Sequence, residues 1–248
     1  MKKLFTLLAL TISFSMNAQM SDNSANNNTA GSYAVAMGYL TTASGDVSTA
    51  MGFNTTASGT GSTAMGNGTT ASGYNSTAMG SFTTASDFAS TVIGQFNSSG
   101  SSVTNNATSF NTANTAFVIG NGTSGSLSDA FKVMFNGDTT VSNDLTVSGD
   151  VVISSDARLK SNIVSLGSTL PKLLQIDGKS YEMKGKQKIG VLAQEIKEVF
   201  PELVSEDDNE MLAVNYQGLV PVLINALKEQ QREIDELKEM VQSLVSKE

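Results

Sequence analysis

Apolar positions in the first half of the chain are small, widely spaced and periodic. Gly38, Gly52, Gly66, Gly80 and Gly94 stand fourteen residues apart, each preceded by Ala-Met or, at the last, by Val92-Ile93. Ser48, Ser62, Ser76 and Ser90 lie four positions before the last four of these glycines. The rest of each unit is Thr-Thr-Ala-Ser-Gly, ending at Gly45, Gly59 and Gly73 and decaying to Ala85-Ser86-Asp87. A last copy, Ala116-Phe117-Val118-Ile119-Gly120, follows a polar spacer and is out of step. The composition alone would suit a disordered linker, but a linker has no reason to keep Ala-Met-Gly at one interval. A short strict period predicts a solenoid of stacked coils. Strand alternation puts Met51 and its column on one face, and Ser48, Ala50 and Gly52 on the other. Alanines and one methionine per coil bury little apolar area, so association of several chains around an axis is expected to supply the rest.

The pattern then changes twice. Across residues 126–154, Phe131, Val133 and Phe135 alternate and Asn136-Gly137 is a turn signal. Val141, Leu145, Val147 and Val151 to Ile153 continue as short strands, predicting a slender β-stem, with a small hairpin sheet as the alternative. From Ser155 the reading is α+β, with strands at Lys179 to Met183 and Lys188 to Leu192 around a Lys/Gly turn. A short helix over Ala193 to Phe200 is stopped by Pro201, a strand runs from Met211 to Tyr216, and a long helix starts near Gln217. Val220, Leu223, Leu227, Gln230, Ile234, Leu237, Val241 and Leu244 alternate in steps of three and four, the periodicity of a coiled coil. Glu233 and Lys238 then take g and e positions, where they can pair between parallel chains. Ile or Val at a with Leu at d by itself favours two strands, and a single amphipathic helix packed on its own domain is the plainer alternative.

Charge and the ends narrow the function classes. Residues 1–154 hold three lysines, seven aspartates and no glutamate, half of the net charge of -8. A surface so poor in lysine argues against nucleic acid as a partner, and a head without glutamate or paired carboxylates argues against a carbohydrate-active enzyme. There is no cysteine, hence no disulfide and no lipidated cysteine anchor. Lys2, Lys3, the apolar run Leu4 to Phe14 and the small Ala18 read as a signal peptide over 1–18, cut before Gln19; a buried N-terminal helix is the alternative. No later stretch reaches the roughly 18 apolar residues of a membrane helix. The expected mature protein is secreted or held at the cell surface without an integral membrane segment. Glu206-Asp207-Asp208 with Glu210 lacks the spacing of a calcium loop and reads as a solvated acidic turn, so no cofactor or metal is expected.

Ser-Thr-Ala-Met-Gly followed by Thr-Thr-Ala-Ser-Gly, over about residues 32–120, resembles the YadA-like head repeat of trimeric autotransporter adhesins. The resemblance implies a left-handed parallel β-roll three chains wide, a homotrimer, and a role in surface adhesion. It favours three strands over two for the C-terminal seam. The residues after each glycine do not repeat: Tyr39-Leu40, Phe53-Asn54, Asn67-Gly68, Ser81-Phe82 and Gln95-Phe96. These are expected turns, where aromatics could meet a surface glycan or a host or matrix ligand, or simply pack.

Where the composition switches stands Ser155-Asp156-Ala157-Arg158-Leu159-Lys160-Ser161-Asn162-Ile163. This run, with Gly190-Val191-Leu192-Ala193-Gln194-Glu195 and Val214-Asn215-Tyr216, resembles the C-terminal intramolecular chaperone of phage endosialidases and tailspikes, a self-cleaving Ser-Lys family. The resemblance implies a trimeric chaperone over 155–248, comprising a domain to 218 and a helix from 219, which guides folding of the fibre and releases it by cutting before Ser155. It assigns Ser155 as nucleophile and Lys160 as base. Serine needs a base, and a chain without histidine cannot build a Ser-His-Asp triad. Lysine serves only when neutral, which requires burial, so assembly is expected to switch the cut on. On spacing alone, Ser155 or Asp156 could equally cap a helical turn with Arg158 and Lys160 solvated. Two rivals stand beside this reading: a structural fibre that never cuts, and a phage tail fibre, for which a signal peptide would have no purpose.

Overall fold

The computed structural model describes residues 27–207 and 210–246, and the chain divides into two compact units between Val151 and Val152. Of the expected signal peptide over 1–18 and an expected flexible start over 19–31, residues 1–26 lie outside the described residues, and Asn28–Thr29 already pair as a strand.

The first unit is the expected parallel solenoid. Each coil contributes a five-residue strand (Val35–Tyr39, Thr49–Phe53, Thr63–Asn67, Thr77–Ser81, Thr91–Gln95) and a two-residue strand (Asn28–Thr29, Thr42–Ala43, Thr56–Ala57, Thr70–Ala71, Thr84–Ala85). Equivalent residues of successive coils pair in parallel and in register: Ala36 with Ala50, Ala50 with Ala64, Met51 with Met65. The short strands stack into a second sheet in the same way. Between the sheets runs a ladder of small side chains, Ala36, Ala50, Ala64 and Ala78 from one side and Ala43, Ala57, Ala71 and Ala85 from the other, all 0% exposed. Ser48, Ser62, Thr55 and Thr69 fill the spaces between them. The coils are too close for anything larger. At Gly52, in the left-handed region at φ 128°, an added methyl would overlap the carbonyl oxygen of Gly66 in the next coil. The fourteen-residue glycine column is thus a demand of backbone approach, and of the methionine column Met37, Met51 and Met65 are half-buried outside the ladder and Met79 is exposed.

The period breaks after Gln95 and resumes when Thr115–Asn121 pairs in register, Gly94 with Gly120. Two carboxylates hold the intervening loop. Buried Asp87 accepts from the backbone N–H of Thr104 (2.6 Å) and Thr115 (2.8 Å), and Asp129 from those of Ser98 (2.9 Å) and Ser99 (2.8 Å). Asp129–Met134 and Thr139–Val141 then add antiparallel to the sheet of long strands, joined at Asn136-Gly137. Of the region expected to form a stem, this hairpin forms strands, and it covers the edge that a parallel stack leaves unpaired. Leu145, Val147 and Val151 to Ile153 lie in exposed chain without regular secondary structure.

The second unit is α+β. Lys179–Met183 and Lys186–Gly190 form an antiparallel hairpin, and Val204–Glu206 pairs with Leu212–Val214. Helices span Leu170–Leu173, Ala193–Val199 and Leu219–Val245. Ile196, Phe200 and Val222 form the core with Leu173, Ile176, Val191, Val199, Leu203, Val204, Val214 and Leu219 around them. The long helix gives that core only its start, with Val222 and Ala226 buried. Its heptad seam, Val220, Leu223, Leu227, Ile234, Leu237, Val241 and Leu244, is exposed in the single chain.

Candidate functional site

Residues 151–168 are exposed throughout, and within them a single turn of 3-10 helix, Ala157–Leu159, brings two side chains together. The chain enters the turn extended at Asp156 (φ −62°, ψ 135°) and leaves it extended at Lys160 (φ −121°, ψ 147°). Lys160 Nζ, five residues on from Ser155, donates to Ser155 Oγ at 2.8 Å. Five residues is not helical spacing, so this contact depends on the turn.

Asp156 caps the turn. Its carboxylate accepts from the backbone N–H of Arg158 at 2.8 Å, as an N-cap does, and from the Arg158 guanidinium at 2.7–3.2 Å. Those bonds hold the Asp156 carboxyl below, and the Arg158 guanidinium above, their ordinary ranges. Both patterns open at the sequence level are therefore present: Asp156 caps the turn, and Ser155 meets Lys160. Arg158 is paired rather than simply solvated.

The other two motif stretches pack on each other. The Tyr216 hydroxyl accepts from the Val191 N–H at 3.2 Å, and Asn215 Oδ1 accepts from Gly218 N–H at 3.1 Å, starting the long helix. One structural tie has no signal in the sequence. Glu229 on the long helix accepts from Ser168 Oγ (2.7 Å), Thr169 N–H (2.6 Å) and Leu170 N–H (3.3 Å). The Ser168 hydroxyl and these amides hold its carboxyl below the usual range. In the acidic turn, Glu206 pairs with Lys197 at 2.8 Å and Asp207 Oδ1 accepts from Met211 N–H at 2.9 Å. Among the described residues no three His, Cys, Asp or Glu are grouped to hold a metal ion.

On the solenoid, the non-repeating positions lie at corners where the backbone turns left-handed. Leu40, Asn54, Gly68, Phe82 and Phe96 occupy one such column. Tyr39 stacks on Phe53 (5.6 Å, 16°) and Phe82 on Phe96 (4.9 Å, 8°), with Tyr39, Phe53 and Phe82 each about half exposed. No helix of the described residues is long and apolar enough to cross a membrane.

Both halves match known families. Four overlapping stretches, 30–55, 43–69, 57–83 and 71–97, match the YadA head domain repeat, and residues 155–205 match the chaperone of endosialidase. No curated protein matches the chain. The two families together point to a trimeric autotransporter-like adhesin or fibre with a chaperone-type C-terminal domain.

Proposed function

We propose that this chain forms an exported homotrimeric fibre whose second unit assembles the trimer and then severs itself between Ser154 and Ser155. The observation that carries the reading is the 2.8 Å contact between Ser155 Oγ and Lys160 Nζ inside the stretch that matches the chaperone family. In the single chain the lysine donates. Once Lys160 is a neutral amine, the same pair works in reverse, with the hydroxyl donating its proton to Nζ. Ser155 Oγ then bonds to the carbonyl carbon of Ser154, and the C–N bond to Ser155 breaks. The proton passes from Nζ to the departing amine, and water hydrolyses the resulting ester to leave a carboxylate on Ser154.

Lys160 is exposed in the single chain. A lysine base must be a neutral amine, so the cut is proposed to wait until the trimer covers this segment. That dependence separates folding from release. The exposed heptad seam supports association, and the match to the head repeat supports three chains rather than two. Lys2, Lys3, the apolar run and Ala18 support export.

Adhesive contact fits the aromatic corner of the solenoid. Asn54 and Gly68 occupy the left-handed position in two coils, whereas Leu40, Phe82 and Phe96 hold it in others at a strain of about 1–3 kcal/mol each. Leu40 and Phe82 are exposed and Phe96 is half-buried, and the coil requires a bulky side chain at none of these strained positions. A replacement of both Phe82 and Phe96 by Asn should leave the fibre folded and remove binding to a glycan- or matrix-coated surface; undiminished binding would place the ligand elsewhere. The test of the cut is direct: wild type yields two fragments, the second beginning at Ser155, and Ser155→Ala yields a full-length trimer.

A further inference from the structure

We infer that Asp156 is a positioning residue for the self-cleavage site: by capping the Ala157–Leu159 turn it holds Lys160 Nζ on Ser155 Oγ. This inference rests on the Ser155–Lys160 reading above. The two groups sit on opposite ends of one short turn in an exposed segment, so the turn itself must set their distance. The turn closes through two backbone hydrogen bonds, Leu159 N–H to Asp156 O and Lys160 N–H to Ala157 O, both 3.1 Å. A single turn this short is unstable in isolation, because it orders several residues for few bonds. The Asp156 carboxylate supplies a third bond, to Arg158 N–H at 2.8 Å, at the N-terminal end where a donor would otherwise go unpaired.

Asp156 also engages the Arg158 guanidinium, and the two contributions can be ranked. The Asp156 and Arg158 side chains are 44% and 89% exposed. An ion pair that open to water contributes little, whereas a cap bond to the backbone acts directly on the turn. The cap is the working part and the fork is secondary. A purely electrostatic role gives no reason for slower cleavage, since removing Asp156 leaves Arg158 as an unpaired cation two residues from Lys160 in the sequence. Positioning predicts slower cleavage.

The test uses the full chain, assembled as a trimer, and follows the cut by mass spectrometry over a range of pH. Asp156→Ala should slow cleavage by about 10- to 100-fold across the range, the scale of effect expected when reacting groups are displaced by about 1 Å. Asp156→Ser and Asp156→Asn, which retain a capping oxygen, should recover most of that rate. Arg158→Ala, which keeps the cap and loses the fork, should slow it by no more than about 3-fold. Light scattering on each variant reports assembly, which should not change. A second readout needs no cleavage: competitive acylation of lysines in Ser155→Ala and in the Ser155→Ala, Asp156→Ala double variant. Both variants lack the Ser155 hydroxyl, so the comparison isolates the turn: without the cap, Lys160 acylation should rise about 3-fold relative to the chain's other lysines. Unchanged labelling and an unchanged rate on Asp156→Ala would overturn the inference, as would faster cleavage. If wild type does not cut at all, the cleavage reading fails, while the labelling comparison still decides whether Asp156 orders Lys160.

Discussion

The two units bury opposite kinds of side chain. Between its sheets the solenoid holds a ladder of alanine, serine and threonine, closed by backbone hydrogen bonds that repeat every coil. The second unit buries Ile196, Phe200 and Val222 and leaves a line of large aliphatic residues uncovered along its long helix. The difference teaches which unit can specify an assembly. Coils that carry the same Ala-Met-Gly and Thr-Thr-Ala-Ser-Gly cannot tell one register from another, since a slip of one whole coil between chains replaces like with like. The seam of Leu219–Val245 contains Gln230 and no repeat of that kind, so its register is unique. On the proposed reading, the second unit sets register while the repeats find one another and is dispensable afterwards. Parallel pairing between distant segments is also slow, which lengthens the period during which such a guide matters.

The sharpest break of the contrast falls on the solenoid. Gly66→Val should abolish it, because φ is 123° there and the added carbon would overlap the carbonyl oxygen of Gly80. The cost should exceed about 4 kcal/mol per chain, seen as loss of the β-type circular dichroism signal. Gly125→Ala, where nothing lies within 4 Å of the added methyl, should change stability by less than about 0.5 kcal/mol and serves as its control.

The next break falls on the seam. Ile234→Asp places a charge where the helices are proposed to meet, at a cost of about 3 kcal/mol or more per chain. Folded fibre yield should collapse although no solenoid residue has changed; gel filtration of the expressed chain reads this directly. A normal yield of trimer would mean that the repeats specify their own register.

These two sites also mark what could be read from the chain. The glycine column was legible because close backbone approach permits nothing else, and the heptads because a seam needs a period near 3.5. Asp87 carries one sequence signal of its structural role, that it breaks the Gly45, Gly59, Gly73 column at the coil where the inserted loop docks. The helix at Leu170–Leu173 and the strand at Val204–Glu206 are too short to carry a period. At the candidate site, Ser155 and Lys160 were recognisable by resemblance, and the cap at Asp156 by residue type. Glu229 was invisible: at an outer heptad position it reads as a solvated charge, and its partners Ser168, Thr169 and Leu170 lie about 60 residues earlier.

The smallest effect concerns that tie. The folded-state carboxyl of Glu229 lies below its ordinary value of 4.5, so its stabilising contribution is fully present above that value. It is lost as pH falls below 4.5 through the folded value. Glu229→Gln should lower the melting temperature of the second unit slightly at pH 7. Under acid conditions below both values the difference from wild type should vanish. A gap that persists unchanged there would assign the effect to packing rather than to charge.

The most direct measurement is the intact mass of wild-type protein purified as assembled trimer, beside Ser155→Ala and Lys160→Arg. Self-cleavage after assembly predicts two wild-type fragments, one ending at Ser154 and one beginning at Ser155, with no added protease. Both variants should remain full length, since one lacks the nucleophile and the other carries a guanidinium that stays protonated. Assembled wild-type trimers of full-length chain, with no new terminus at Ser155, would contradict the claim and leave the second unit as a trimerisation module that never cuts.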